Sequence, residues 1–232
     1  MLILITGASK GIGYEMVKEF SKNSAHLIIA VSRNISPLLK FVKDNNTTTI
    51  LPLKANVSSK AQQQKIIKVL RSLGLPVDVV INNAGELVKK PFEHITEKEL
   101  QNVYRANVFA PFLLIQSLLP FMNKQRASHI VNIGSMGGFQ GSSKFSGLSA
   151  YTSSKGALAV LTECLAEELK PKNIHVNCLA LGAVQTEMLS KAFPGYKAPL
   201  SAHTMAQFIC HFALTGQQYY NGKILPVSLS TP

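Results

Sequence analysis

A tyrosine placed four residues ahead of a lysine on a helix shares a face with it, and an ammonium nearby favours the phenolate, so such a pair suits proton exchange with a substrate oxygen. The chain contains this spacing three times, as Tyr14 with Lys18, Tyr151 with Lys155 and Tyr219 with Lys223. Context separates them. Tyr14 lies inside a first helical pattern, where the pair reads as a surface contact, and Tyr219 lies in a Tyr-Tyr-Asn-Gly-Lys turn before the last apolar run. Tyr151 instead begins a helical pattern running to about Lys170, just downstream of an apolar run that ends at Gly134 and Ser135. That order carries its hydroxyl to the carboxyl edge of a sheet. A free tyrosine ionises near pH ~10, and the expectation is that Lys155 draws Tyr151 down towards the working range of general acid and base catalysis.

A second group binds rather than reacts. Thr6 to Gly13 reads TGASKGIG, directly after the apolar run Met1 to Ile5 and at the start of an amphipathic pattern. Glycines let backbone approach a ligand, and a helix N-terminus presents unpaired N–H groups with a partial positive charge, which suits a pyrophosphate. The spacing Gly7-x-x-x-Gly11-x-Gly13 departs from G-x-G-x-x-G, so the turn alone does not identify its ligand. An acidic residue is expected about 20 positions further on to bind a ribose 2′-hydroxyl; here Ser32 and Arg33 stand there. A guanidinium suits a 2′-phosphate, and Lys10 adds a second positive charge, which favours NADP(H) over NAD(H).

The elements that must position these groups alternate along the whole chain. Apolar runs near Leu2 to Thr6, Leu27 to Val31, Thr49 to Leu53, Val77 to Ile81, His129 to Ile133, His175 to Leu179 and Lys223 to Val227 are separated by helical patterns. Val-, Ile- and Leu-rich runs without clean alternation predict a parallel sheet covered on both faces. The fold class is therefore α/β, a single Rossmann-like domain over 1–232 with a doubly wound parallel sheet of about seven strands and ligands at the carboxyl ends.

Composition narrows the classes. At 232 residues and 46% hydrophobic the chain can bury a full core. Its three cysteines, Cys164, Cys178 and Cys210, have no C-x-x-C spacing, and the histidines show no metal-like spacing, so neither a disulfide framework nor a metal site is expected. The apolar start is too short for a signal peptide, and Phe109 to Met122 is broken by Pro111 and Pro120, so a cytoplasmic protein that neither enters nor crosses a membrane is expected. The net charge of +12 is spread along the chain, without the clusters or aromatic platforms that nucleic acid requires.

TGASKGIG, NNAG at Asn82 to Gly85, Ser135 and Tyr151-x-x-x-Lys155, in this order, resemble the classical short-chain dehydrogenase/reductase family over essentially the whole chain. The resemblance implies that Gly7, Ser9, Lys10, Gly11, Ile12 and Gly13 hold the dinucleotide, with Ser32 and Arg33 at its adenine ribose and Asn56 and Val57 at its adenine. It implies that Asn83, Ala84 and Gly85 line the cleft. Tyr151 would then be the proton donor to a carbonyl oxygen that Ser135 also binds, with Lys155 on the nicotinamide ribose. Pro111 four residues beyond Asn107 removes a helical donor and predicts a kink in a helix spanning Leu100 to Ser117. The Asn107 carbonyl so freed would, by the resemblance, hold a water behind the lysine. Leu181-Gly182-Ala183-Val184-Gln185-Thr186 resembles the family's Pro-Gly-x-x-x-Thr, so Gly182, Val184 and Thr186 would grip the nicotinamide, with Leu181 in place of proline loosening the turn.

The loop between Ser135 and Tyr151 is rich in glycine and serine, and Phe139, Phe145 and Leu148 are candidate walls of an apolar substrate pocket. A short segment from Glu187 to Pro199 corresponds to the family's substrate lid. These expectations describe an NADP(H)-dependent oxidoreductase that reduces a ketone or aldehyde, or runs in reverse. The carbonyl substrate remains open among an acyl thioester on an acidic carrier, a diketone, a sugar and a steroid-like molecule. A homodimer or homotetramer is implied by the family. A non-catalytic NADP-binding redox sensor is the alternative, and it would not need Tyr151, Ser135 and Lys155 together.

Overall fold

The computed structural model describes residues 1–230; Thr231 and Pro232, the end of the expected 1–232 domain, lie outside the described residues. Among the described residues there are nine strands: β1 (Leu2–Thr6), β2 (Leu27–Ser32), β3 (Ile50–Lys54), β4 (Val79–Asn82), β5 (Ser128–Ile133), β6 (Ile174–Leu181), β7 (Val184–Gln185), β8 (Leu200–Ser201) and β9 (Ile224–Val227). Its α-helices are α1 (Gly11–Ser21), α2 (Ser36–Asp44), α3 (Lys60–Leu73), α4 (Glu97–Tyr104), α5 (Ala110–Leu118), α6 (Ser149–Leu169), α7 (Glu187–Ala192) and α8 (Ala202–Thr215).

Seven strands form one parallel sheet in the order β3-β2-β1-β4-β5-β6-β9. Strand β1 explains why both faces are covered: Ile3 and Ile5 pack with Met16, Phe20 and Ile209 of α1 and α8, while Leu2 and Leu4 pack with Ile66, Leu114 and Leu169 of α3, α5 and α6. Each face therefore buries its own apolar core, and the expected near-continuous apolar runs follow. The order reverses between β1 and β4, the place where an open α/β sheet leaves a crevice at its carboxyl edge. At the two outer strands the register sets Pro52 of β3 beside Ala30 and Pro226 of β9 beside Ala180.

The strands fall within a few residues of the expected runs, with β6 continuing to Leu181. The helix expected over Leu100 to Ser117 is present and its backbone is continuous: α4 passes through a π-helical stretch at Arg105–Phe109 directly into α5, with helical dihedrals at each junction. Pro111 has no N–H for the Asn107 carbonyl, and the ladder widens just there, the Ala110 N–H donating to the Arg105 carbonyl. The short β7–β8 pair was not foreseen, two residues being too few to show a period.

Candidate active site

The glycine turn is held by sterics and by an amide. Gly7 and Gly11 adopt φ of +68° and +55°, a region that side chains rarely occupy. A Cβ on Gly13 would lie 2.2 Å from the Gly7 carbonyl oxygen, so α1 can meet β1 this closely only with glycine. Asn83 donates from Nδ2 to the carbonyls of Thr6 and Gly7 at 3.0 and 3.1 Å, and the N–H groups of Asn83 and Ala84 donate to Thr6 Oγ1. Asn83 thus fastens the turn to the end of β4, a positioning part that the motif alone did not reveal. At the start of α1 no side chain caps the helix and no acidic residue occupies the first turn.

At the adenine end, Ser9 and Ser32 hydrogen-bond each other at 2.7 Å. Arg33 is exposed, borders the cleft and forms no salt bridge among the described residues. Lys10 also borders the cleft, but its ammonium pairs with Glu187 at 2.7 Å, and Glu187 pairs again with Lys191 at 2.6 Å. The lysines, Lys10 first, hold the Glu187 carboxyl down at about 2. Asn56 Oδ1 accepts from the Ser58 N–H, and the Val57 carbonyl accepts from Gln63 Nε2.

Tyr151 and Lys155 lie in the first turns of α6, facing the end of β5 and Ser135. Lys155 is 5% exposed and donates to the Ile133 carbonyl at 2.7 Å. Burial lowers its pKa to about 8. Tyr151 departs from the expectation: burial raises its pKa, and the Ser135 hydroxyl, not the lysine, is the group that pulls it down. The reason is geometric. Lys155 Nζ stands 5.8 Å from the Tyr151 ring centre and spends its hydrogen bond on the backbone of β5. Gly85 closes the same corner, since a Cβ there would sit 3.6 Å from Lys155 Nζ and 3.2 Å from Asn107 Oδ1.

Asn107 sits in the π-helical stretch, 1% exposed, and does not border the cleft. Its Oδ1 accepts from the Glu86 N–H at 2.8 Å, and its Nδ2 donates to the Glu86 carbonyl and to Ser154 Oγ, each at 2.9 Å. The side chain is a clasp between the wall after β4 and α6. A second polar chain escaped the sequence reading: Asn82 Nδ2 donates to Asn132 Oδ1 at 2.8 Å, and Asn132 Nδ2 to Thr162 Oγ1 at 2.9 Å, all buried. Its only signal was an asparagine within each of two Val/Ile strands, which a fully buried position tolerates only with partners.

Leu181 ends β6 in register with Val227, and the next N–H, of Gly182, donates to the Val227 carbonyl at 2.9 Å. Gly182 and Val184 border the cleft, and Thr186 Oγ1 caps α7 by accepting from the Leu189 N–H at 3.2 Å, leaving its own proton to donate. One cleft of about 580 Å³ joins every site residue expected from the sequence except Asn107, from Arg33 and Asn56 to Ser135 and Tyr151. Phe145 and Leu148 line it; Phe139 does not. Lys18 stands 5.7 Å above the Tyr14 ring and bonds Glu15, while Tyr219 is 76% exposed, so neither other Tyr-Lys pair reaches the cleft. Among the described residues no cluster of His, Cys, Asp and Glu could hold a metal, and no helix is long and apolar enough to cross a membrane.

A doubly wound sheet, a glycine turn at its switch point and a tyrosine–lysine helix facing that turn define a dehydrogenase of the short-chain type, and the chain belongs to that family: the short chain dehydrogenase model matches residues 1–197. Among relatives, L-xylulose reductase of Caenorhabditis elegans is 34% identical over 80% of this chain and 72% of its own length. Dehydrogenase/reductase SDR family member 4 of Mus musculus is 28% identical over 81% and 67%. Among solved structures, the 3-ketoacyl-(acyl-carrier-protein) reductase from Brucella melitensis complexed with NADH has a TM-score of 0.86 at 25% identity, covering 98% of this chain and 96% of that one. The L-sorbose reductase from Gluconobacter frateurii complexed with NADPH and L-sorbose shares the fold, with a TM-score of 0.85 at 23% identity over 98% and 94%.

Proposed function

We propose that this oxidoreductase is an NADP(H)-dependent carbonyl reductase that converts a ketone or aldehyde to an alcohol, with Tyr151 as the proton donor. The observation that carries the reading is the convergence of Ser135, Tyr151 and buried Lys155 on the same cleft as the glycine turn. The residues fit a dinucleotide: the first turn of α1 has neither acid nor side-chain cap to compete with a pyrophosphate, and Arg33 meets no acid among the described residues. Gly7, Ser9, Gly11, Ile12 and Gly13 would hold the pyrophosphate side, Ser32 and Arg33 the 2′-phosphate, Asn56 and Val57 the adenine, and Gly182, Val184 and Thr186 the nicotinamide. When bound, the nicotinamide supplies the hydride that reduces the carbonyl carbon.

The chain's own residues supply the rest. Burial keeps Tyr151 a neutral phenol, which is the state that can give a proton to a carbonyl oxygen. The Ser135 hydroxyl donates to that same oxygen as negative charge develops on it. Lys155, on the same helix face as Tyr151 and held by the Ile133 carbonyl, would bind the nicotinamide ribose. Asn107 ties the wall after β4 to α6, the helix that carries Tyr151 and Lys155.

The cysteines are free, two of them buried, which suits a reducing cytoplasm. Phe112 of α5 and Val160 of α6, 45% and 59% exposed, offer apolar surface for a second copy in a homodimer or homotetramer. The test of function is a carbonyl screen followed by NADPH absorbance. Tyr151→Phe is expected to lose turnover by at least ~100-fold while NADPH still binds, and Arg33→Ala to lose most of the preference for NADPH over NADH. Saturable NADPH binding with no turnover across the screen would favour a redox sensor, and equal affinity of the parent protein for both cofactors would refute the role of Arg33.

A further inference from the structure

Three loops are tied together beside the cleft, by one backbone hydrogen bond and by side chains. The Lys90 N–H donates to the Gly147 carbonyl at 3.0 Å, joining the segment after β4 to the loop after β5. Phe145 of that loop meets Phe193 edge to face, with ring centres 5.5 Å apart, which joins it to the end of α7. Lys89 completes the circuit: its ammonium donates to the Ala192 carbonyl at 2.6 Å and stands 4.0 Å from the centre of the Phe193 ring. Lys89 does not itself border the cleft.

The surface so enclosed is mostly apolar. Met136, Phe145, Leu148, Met188, Leu189 and Phe193 border the cleft that also holds the catalytic hydroxyls. Of the wall after β4, Asn83 to Leu87 border it, and Glu86 is the ionic residue among them. Lys10, at the mouth, is already paired with Glu187. A polyhydroxylated substrate would find few partners here besides Ser135, Tyr151 and the unpartnered Thr152 hydroxyl, and an anionic one would meet Glu86, with Lys155 held by the Ile133 carbonyl.

We propose that the substrate is an uncharged carbonyl compound bearing an apolar, ring-sized group, and that Lys89 is a positioning residue that fixes the Phe193–Phe145 wall against it. The proposal rests on the reading of Tyr151 as proton donor. Such a substrate differs in chemistry from the sugars named for the relatives. Its group packs on the edge and face of the two phenylalanine rings, while its carbonyl oxygen reaches Ser135 and Tyr151.

The test compares 4-phenylbutan-2-one, L-xylulose and acetoacetate as substrates of the full chain with NADPH. The expected result is a kcat/KM for the phenyl ketone about 100-fold above that for L-xylulose, with acetoacetate lower still. Lys89→Met should raise KM for the phenyl ketone roughly fivefold with kcat nearly unchanged, and Lys89→Arg should restore it. Phe193→Leu, which keeps an apolar residue on the wall, should raise the same KM. L-xylulose or acetoacetate matching the phenyl ketone would overturn the substrate class and leave the reductase reading standing. An equal loss of kcat on every substrate in Lys89→Met, without a KM change, would overturn the positioning role. No turnover of any of the three, or of a wider carbonyl screen, would overturn the reductase reading itself.

Discussion

Replacing Asn107 with alanine separates a clasp from a simple proton relay. The side chain makes three hydrogen bonds, one accepted from the Glu86 N–H and two donated to the Glu86 carbonyl and Ser154 Oγ, and it is 1% exposed. At a net contribution near ~1 kcal/mol for each bond, the loss is about 3 kcal/mol. Glu86 is only partly buried, so water can reach its freed backbone groups, and Ser154 Oγ keeps its bond to the Tyr151 carbonyl, so the figure needs no larger penalty. In a domain of this size that loss lowers Tm by roughly 6–12 °C, measured by circular dichroism or calorimetry. Asn107→Asp is the sharper companion, because it keeps the acceptor for the Glu86 N–H but sets an oxygen against the Glu86 carbonyl. It should destabilise about as much as alanine despite its matching shape. If Asn107→Ala melted within ~2 °C of the parent protein and lost activity alone, the clasp would be wrong and the residue would act only in catalysis.

Gly13→Ala should abolish measurable NADPH binding by calorimetry, because its Cβ would fall 2.2 Å from the Gly7 carbonyl; retained affinity would show that the turn can shift. Acid should destabilise the fold through His129, whose pKa burial lowers from 6.5 to about 4. The unfolded chain then takes up a proton as pH falls through 6.5 while the folded one does not until about 4, so stability present above that window is lost within it, about 3 kcal/mol in all. Urea titrations of His129→Gln should lack that share of the slope, and parallel slopes would refute it. Lys155, held at about 8 by burial, loses its charge above that pH, so kcat should decline on the alkaline side well before a normal lysine would titrate. A kcat flat to pH ~10 would contradict this.

The strands were legible because burial on both sides of the sheet leaves unbroken apolar runs, and Tyr151 could be chosen from its rivals by what precedes it. The cleft's membership was legible for a similar reason: each motif follows the carboxyl end of a strand. What the sequence concealed is where polar side chains spend their bonds. Nothing in NNAG announces that Asn83 binds the Thr6 and Gly7 carbonyls, or that Lys10 turns to Glu187, a partner 177 positions away. The π-helical stretch at Arg105–Phe109 was hidden because a missing N–H at Pro111 shows where the helical ladder is disturbed but not whether the helix bends or widens to absorb it. The tyrosine's pKa was misjudged because spacing shows that Lys155 shares a face with Tyr151, but not that its ammonium is drawn to Ile133.

The two outer strands have a bearing on how this molecule meets its own copies. Pro52 and Pro226 stand on the margins of the sheet, and a proline has no N–H to offer and a ring that obstructs an incoming backbone. Each margin therefore resists being lengthened by a strand from another molecule, which removes the commonest route to indefinite aggregation of an open sheet. A second copy would have to meet side chains on the molecule's surface and not the backbone of a strand edge.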